Sequence, residues 1–551
     1  MSARRAVAAG LLLLGLAASS SLAGAASPAK GEALYRHGLL GSGAPLEAHR
    51  AGGAVGMKGA EAACVNCHRR SGLGSTEGSI TIPPITGEYL FHAREAGSAD
   101  RALTYVEGMH GNRLPYTDAT LARAIREGVD SEGNALSTLM PRFALDDPDM
   151  AGLIEYLKTL DVTAAPGVTD TLLHFATVIT PDADPVARDG MLDVLNHYFA
   201  DKNAIPFGPS PKMRTSGKTM YSKSMYVANR HWQLHVWQLS GPASTWHSQL
   251  QRYLAAEPVM ALVSGLGGRD WAPVHDFCEQ ERVPCLFPNV EVPTVADGDF
   301  YSLYFSKGVL LEAELVAKAI AEGEGSDGPP VKVVQQIYRA GDTGEAAARA
   351  LTLALTSQGI EVRNRVLAAG KPGRGVAAAL HGASTADALV LWLRAADVAA
   401  VGEAPAPARG VVFMSGLMGG LENAPLPSSW RARVRLTYPV DLPDRRVVRL
   451  DYPLGWFRFR HIPVVAEQVQ ADTYLACGVL AETLSHMADT IKPDYLVERT
   501  QETLDHRILT GYYPRLNLAT GQTLASKGSY LVKFSEPTGT KLRADGDWTV
   551  P

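Results

Sequence analysis

Cysteine is scarce in this chain of 551 residues: there are five, with Cys64 and Cys67 close together and Cys278, Cys285 and Cys477 far downstream. A structural zinc centre on the first pair would need two further ligands at matching spacing, and only those distant three cysteines remain. No internal run of about 18 apolar residues occurs, which argues against a membrane-spanning helix in the body of the chain. Neither sign of charge dominates. A net charge of −5 argues against nucleic acid as the main partner. No Ser/His/Asp or metal-hydrolase spacing stands out among the 15 histidines. Ser216-Gly217-Lys218 lacks the upstream glycine of a phosphate-binding loop, so no nucleotide site is expected.

What is present is enough for several folding units. Hydrophobic residues make up 46% and charged residues 20%, the balance of a globular chain with sizeable cores. The first residues have the anatomy of an export signal: Arg4 and Arg5, an apolar stretch from Ala9 to Ala18, and small residues for cleavage near Ala25/Ala26. Residues 1–26 are therefore assigned to a signal peptide, with an uncleaved anchor as the rival and the only expected contact with membrane. No cysteine follows the apolar stretch, which argues against a lipoprotein. The expected location is the periplasm, where Cys278 and Cys285 could pair as a disulfide or stay as two buried thiols.

Cys64-Val-Asn-Cys-His68 is the strongest single motif. Two cysteines two residues apart, followed at once by histidine, suit covalent haem attachment: each thiol adds to one vinyl group, and the imidazole becomes an axial ligand. A redox dithiol is the alternative for the pair. Helical spacing recurs over Gly31–Gly38, Thr120–Gly128 and Asp146–Leu160, and Met140 precedes Pro141 on a loop before the last of these. A thioether there is a candidate second axial ligand, and one that raises the reduction potential.

This part of the chain, roughly residues 28 to 162, resembles the class I cytochrome c family. The resemblance is carried by Cys64, Cys67, His68, Met140 and the Tyr156-Leu157 pair of the closing helix. It implies an all-α domain over 27–162 with one haem c, bound covalently through Cys64 and Cys67 and ligated by His68 and Met140, that passes single electrons. The loop from Ile80 to Asn112 is longer than a minimal member needs, and His92 and His110 stay open as sixth ligands. A periplasmic dehydrogenase or another cytochrome is the redox partner it implies.

Val162–Val168 is rich in small residues, and 163–168 is assigned to a linker. Beyond it, short apolar runs alternate with amphipathic stretches. Strand candidates are Leu172–Ile179, Leu234–Leu239, Val259–Ser264, Pro284–Pro288, Val331–Tyr338, Ala388–Leu393 and Val411–Ser415. Helix candidates between them include Val186–Ala200, Thr245–Ala255, Asp270–Glu281, Leu311–Ala321 and Glu345–Gly359. The alternation predicts two parallel sheets covered by helices, one on each side of about residue 300, with a cleft between them.

Glu257–Asn289, Tyr301–Ile320 and Arg515–Phe534 give 169–551 a pattern similar to the type I periplasmic binding proteins, the leucine/isoleucine/valine-receptor family. The resemblance implies a two-lobed α/β fold whose strand, crossover and C-terminal hairpin those stretches supply. Ligands of such sheets bind beyond the carboxyl ends of the strands. The turn Ser264-Gly265-Leu266-Gly267-Gly268 is thus a candidate anion or carbonyl cradle, with a plain strand-to-helix turn as the alternative. In amino-acid receptors a hydroxyl residue grips the ligand carboxylate, whereas Gly268 falls near that position here and Glu291 near a second. Tyr301, Tyr304 and Trp392 are candidate cleft residues. Gly208–Arg230 carries five basic and no acidic residues, interleaved with Tyr221 and Tyr226; it is a solvated hairpin or a patch that steers an acidic partner.

The sequence therefore predicts a multidomain, exported electron carrier rather than a catalyst, with a cleft domain for a small molecule or a docking partner. The alternative is a solute receptor or sensor of the branched-chain amino-acid receptor type with an accessory haem domain. A haem enzyme such as a peroxidase is disfavoured, because a methionine-capped iron has no open site.

Overall fold

The computed structural model describes residues 27–50, 56–77, 80–92, 114–160, 165–204, 230–323, 330–381, 386–487 and 490–551. The expected signal segment, His110 and all of Gly208–Arg230 except Arg230 lie outside these. Among the described residues no helix is long and apolar enough to cross a membrane. The chain divides into two compact units, with described residues 27–160 in the first and 165–551 in the second.

The first unit is built on two crossed helices, Pro28–His37 and Asp147–Thr159. They approach so closely that a Cβ on Gly31 would stand 2.0 Å from the Gly152 carbonyl oxygen. Tyr35 and Tyr156 pack with ring centroids 5.3 Å apart, and Arg36 Nε donates to the Tyr156 hydroxyl at 3.2 Å. A structural repeat is also present. The helices Pro28–His37 and Asp118–Glu127 each end on a left-handed glycine, Gly38 (φ 63°) and Gly128 (φ 72°). Each glycine opens a tight loop, closed by the bridges Leu39–Pro45 and Val129–Ala135.

The unit is not purely helical, which corrects the all-α expectation. β1 (Glu47–His49) lies between β2 (Gly56–Lys58) and β5 (Arg142–Phe143), and β3 (Ser75–Glu77) pairs with β4 (Ile80–Ile82), all antiparallel. Strands of two or three residues are too short to display a period of two, so periodicity could not reveal them.

In the second unit the expected linker is not free where it is described: Ala165 is buried, and the Gly167 carbonyl accepts from the His174 N–H at 2.8 Å. The first sheet contains β6 (Leu172–Ile179), β7 (His231–Gln238), β8 (Ala261–Val263), β9 (Cys285–Leu286) and β10 (Ser302–Leu303) in the order β10-β9-β8-β6-β7, all parallel. The second contains β11 (Val333–Arg339), β12 (Glu361–Leu367), β13 (Ala388–Trp392), β14 (Val411–Ser415), β15 (Val434–Tyr438), β16 (Tyr530–Phe534) and β17 (Leu542–Ala544). Its order is β12-β11-β13-β14-β15-β16-β17, parallel through β15 and antiparallel thereafter. Counted within each lobe, both parallel cores run 2-1-3-4-5, the doubly wound order.

Burial on both faces explains the unbroken apolar runs, as in β13, where every residue is buried. The antiparallel hairpin is β16–β17. Arg515–Ala525 instead folds back on itself, with the Asn517 N–H bonded to the Ala525 carbonyl at 3.0 Å.

The chain passes between the lobes three times, around Phe305, around Val440 and before β16. The first and last crossings run side by side, joined by Ser526 N–H to Phe305 carbonyl at 2.7 Å. Between the second and third, the helices Pro443–Arg460 and Glu467–His486 return to the first lobe. There Trp456 and Arg460 both donate to Asp201 on helix Pro185–Ala204.

Candidate functional site

Two separate sites emerge. In the first unit, Cys64 precedes a single helical turn, Val65–His68, whose N–H groups of Cys67 and His68 both bond the Cys64 carbonyl, at 3.2 and 2.9 Å. Residues i, i+3 and i+4 share a helix face, so one turn gathers both thiols and the imidazole. The β3–β4 hairpin then returns the chain over His68, bringing the Pro83 carbonyl oxygen 2.9 Å from His68 Nδ1. A carbonyl only accepts, so Nδ1 carries the proton and the lone pair is left on Nε2. His68 is buried, and desolvation lowers its pKa, favouring the neutral, ligating form.

Burial pushes the Cys64 thiol up to about 12, the opposite of the thiolate a redox dithiol needs. Met140 follows a turn closed by its N–H to the Ser137 carbonyl at 3.1 Å, and its carbonyl accepts from Arg142. Met140 and Cys64 pack against the same core cluster. His92 is exposed at the end of helix Gly87–Phe91. These residues fit a covalently held haem: two thiols and a tautomer-locked histidine gathered on one turn, with Cys64 and the soft sulfur of Met140 against the same apolar core.

In the second unit a cavity of about 600 Å³ lies between the lobes, at the carboxyl ends of the strands. Gly267, Gly268 and Asp182 approach it from the first lobe, Arg394 from the second, and Phe305 and Val440 from the crossings. Asp472 and Tyr513, from the returning segments, complete it.

The glycine turn is not an open anion cradle, which corrects that expectation. Its N–H groups beside the cavity are committed within the protein: Leu266 to Val178 and Gly267 to Asn289 through carbonyls, Gly268 to Thr180 Oγ1 at 3.0 Å, and the following Arg269 to Asp182 Oδ2 at 2.9 Å; Ser264, further back, is bonded to the Leu286 carbonyl. The Asp182 carboxylate occupies the space a side chain at Gly268 would fill, 2.3 Å from its Cβ position. Arg269 and Thr180 contacts hold that carboxyl below its usual range against the opposing effect of burial. Ser264 is buried, bonded to Thr473 and Asn289 at 3.0 Å each, and does not reach the cavity.

Of the other expected site residues, only Glu291 faces the cavity. Tyr301 is buried with its hydroxyl on Asp494, Tyr304 is bonded to His275 Nδ1 at 3.1 Å, and Trp392 Nε1 donates to Gln336 at 2.7 Å. Each is a core residue whose polar tip finds an internal partner. Cys278 and Cys285 are free and buried, and burial together with Cys285 holds the Cys278 thiol well above its usual range.

Glu291 is one half of a clasp between the lobes. Arg394 Nη1 and Nη2 reach Glu291 Oε1 and Oε2 at 2.6 and 2.5 Å, while Nη2 also reaches Asp342 Oδ1 at 2.8 Å. Thr343 Oγ1 donates to Glu291 at 2.8 Å, and Arg269 Nη1 donates to the Gly341 carbonyl at 3.0 Å. Two carboxylates around one guanidinium raise the Arg394 pKa despite desolvation. Sequence reasoning missed Asp182, Arg394, Asp472 and Tyr513. The first two follow strand ends, a position rule that could have found them; the last two come from a late return of the chain and have no local signal.

No family model matches the chain, and no curated protein matches it. Among solved structures it is similar to a fatty acid ABC transporter substrate-binding protein from Thermomonospora curvata, with 13% identity over 71% of this chain and 95% of that one, TM-score 0.48. A leucine-binding protein from Thermotoga maritima shares 11% over 69% of this chain and 99% of its own, TM-score 0.48. A possible leucine/isoleucine/valine-binding protein from Rhodopirellula baltica shares 14% over 70% and 98%, TM-score 0.47. At such identities and scores the likeness says nothing of ligand or activity, and the two-lobed architecture rests on the strand orders themselves.

Proposed function

We propose that this protein is an exported, haem-carrying solute receptor whose second unit closes on a small molecule between its lobes. The observation that supports it is the cavity itself: about 600 Å³, lined from both lobes by apolar side chains with a few polar groups, Asp182, Glu291, Arg394 and Asp472, among them, within the size range of small-molecule sites. The Arg394–Glu291 clasp gives the lobes a defined closed state. The test is a thermal-shift screen of the full chain against amines, carboxylates, alcohols and amides. A bound solute raises Tm with the logarithm of its concentration above Kd, whereas no shift with any class at millimolar concentration overturns the receptor reading.

A second reading concerns the first unit. The Nδ1–Pro83 lock on His68 beside two thiols supports covalent attachment of one haem c at Cys64 and Cys67, with His68 and Met140 as axial ligands. Such a group would supply one-electron exchange at the iron. The chain's part is to hold it by two thioethers, to fix the imidazole tautomer and to keep water from the buried side of the motif. A periplasmic dehydrogenase or another cytochrome is the partner this reading implies. Haem staining after denaturing electrophoresis, with the protein exported through a c-type maturation system, tests it; absence of stain overturns it.

A further inference from the structure

Resting on the receptor reading, we propose that the cleft takes a small organic ammonium, seated on Asp472 and Tyr513, and not a carboxylate-bearing solute. Three observations lead there. The first is the lining charge. Asp182, Asp184, Glu291 and Asp472 line the cavity against one cationic side chain, Arg394, which is already shared by Glu291 and Asp342. The loop N–H groups that line the cavity, those of Leu266, Gly267 and Gly268, are spent internally, and the Asp182 carboxylate stands where an incoming carboxylate would meet Gly268. An anion there meets like charge and finds no free donor among these groups.

The second observation is Asp472. It is 5% exposed and lines the cavity, its Oδ2 accepts from the Tyr513 hydroxyl at 3.1 Å, and the Gln468 side chain lies near enough to favour the carboxylate, but no group completes a hydrogen bond to its Oδ1. A buried carboxylate oxygen left unpaired costs its full desolvation, so the fold retains a penalty that a donor-bearing ligand would remove. Burial pushes this carboxyl up to about 7. An adjacent ammonium would favour its ionised form.

Thirdly, Phe305 and Tyr513 line the same cavity with ring centroids 5.4 Å apart, offering π faces beside the carboxyl group. A bare metal ion is a poorer occupant. Among the described residues the only converging group of three His, Cys, Asp or Glu is His275, Glu279 and Asp299, which lies outside this cavity. That group is also engaged internally: His275 with Asp299 and Tyr304, and Glu279 with the N–H groups of Phe300, Tyr301 and Ser302.

The experiment titrates the full-length protein with butylamine and benzylamine, and in parallel with butyrate, benzoate, butanol and benzyl alcohol, following Tm and heat of binding. The amines are expected to stabilise and the matched carboxylates and alcohols to do nothing. Asp472→Asn should weaken amine binding about ten-fold or more while its unliganded Tm stays at or above that of the parent. Tyr513→Phe, which keeps the ring, should lose amine affinity several-fold, and serves if Asp472→Asn does not fold. Carboxylates or alcohols binding as well as the amines, or Asp472→Asn binding the amines unchanged, would overturn the ammonium assignment and leave the receptor standing. Failure of every compound overturns the ammonium assignment, and the receptor falls with it only if the amides of the wider screen fail as well.

Discussion

The two units place their chemistry in opposite ways. The first concentrates it in five consecutive residues, Cys64 to His68, gathered by one helical turn and one hairpin. The second assembles its cavity from residues as distant in sequence as Asp182 and Tyr513, brought together by three crossings between lobes. A local site tolerates change in the surrounding fold only while its own turn survives. A dispersed site depends on every segment that delivers a residue to it.

The largest expected effect breaks the local site outright. Replacing Cys64 and Cys67 together by serine should abolish covalent haem, read as complete loss of haem stain, with the solute response of the second unit retained. Stain persisting in that double variant would remove the motif from the argument.

Next comes the helix crossing that supports this site. In Gly31→Val the new Cβ meets the Gly152 carbonyl at 2.0 Å, with backbone and not a movable side chain opposing it. A cost of about 4 kcal/mol or more is expected, enough to unfold residues 27–160. Calorimetry should show that unit's transition lost, and an unchanged scan would mean the helices separate easily.

In the second unit, the Asp472 carboxyl is raised from 3.8 to about 7 by burial, so between those values the native state holds a proton that the unfolded chain releases. Stability therefore falls as pH rises through that window and levels off above it. Asp472→Asn should flatten the fall and recover about 4 kcal/mol at most near pH 8, as measured by urea unfolding across pH. Glu312, buried under Ser415 and Thr437 and also raised to about 7, contributes with the same sign, so the slope should shrink without vanishing. An identical slope in the variant would show that Asp472 ionises freely.

The smallest effect is expected at the clasp. Arg394 is 40% exposed, and water screens its ion pairs, so Arg394→Ala should cost only about 1–2 kcal/mol. Its clearer signature would be faster solute exchange, measured by stopped flow, because the lobes lose their main cross-link. Unchanged exchange would reduce the clasp to a surface contact.

Legibility followed the same division. Leu172–Ile179 and Val411–Ser415 are strands with the limits their apolar runs predict, because burial on both faces leaves an unbroken signal. β12 was invisible: its residues are mostly exposed and three of the seven are charged, as suits the outer strand of its sheet. Ser264 and Tyr301 are polar residues at plausible positions, yet both turn inward to partners, Thr473 and Asp494, that lie about two hundred residues away. Nothing near either residue announces that choice.

By itself the sequence determined the haem-type motif, the alternation of strands and helices, and the division near residue 162, since each is set by neighbours within a few turns of chain. Only the tertiary structure decided that the glycine loop is closed to anions, that Glu291 serves a clasp, and that Asp472 faces the cavity with an unpaired oxygen. Hydrogen-bond partners and desolvation are properties of what surrounds a group, and here those surroundings are supplied by chain segments far apart in sequence.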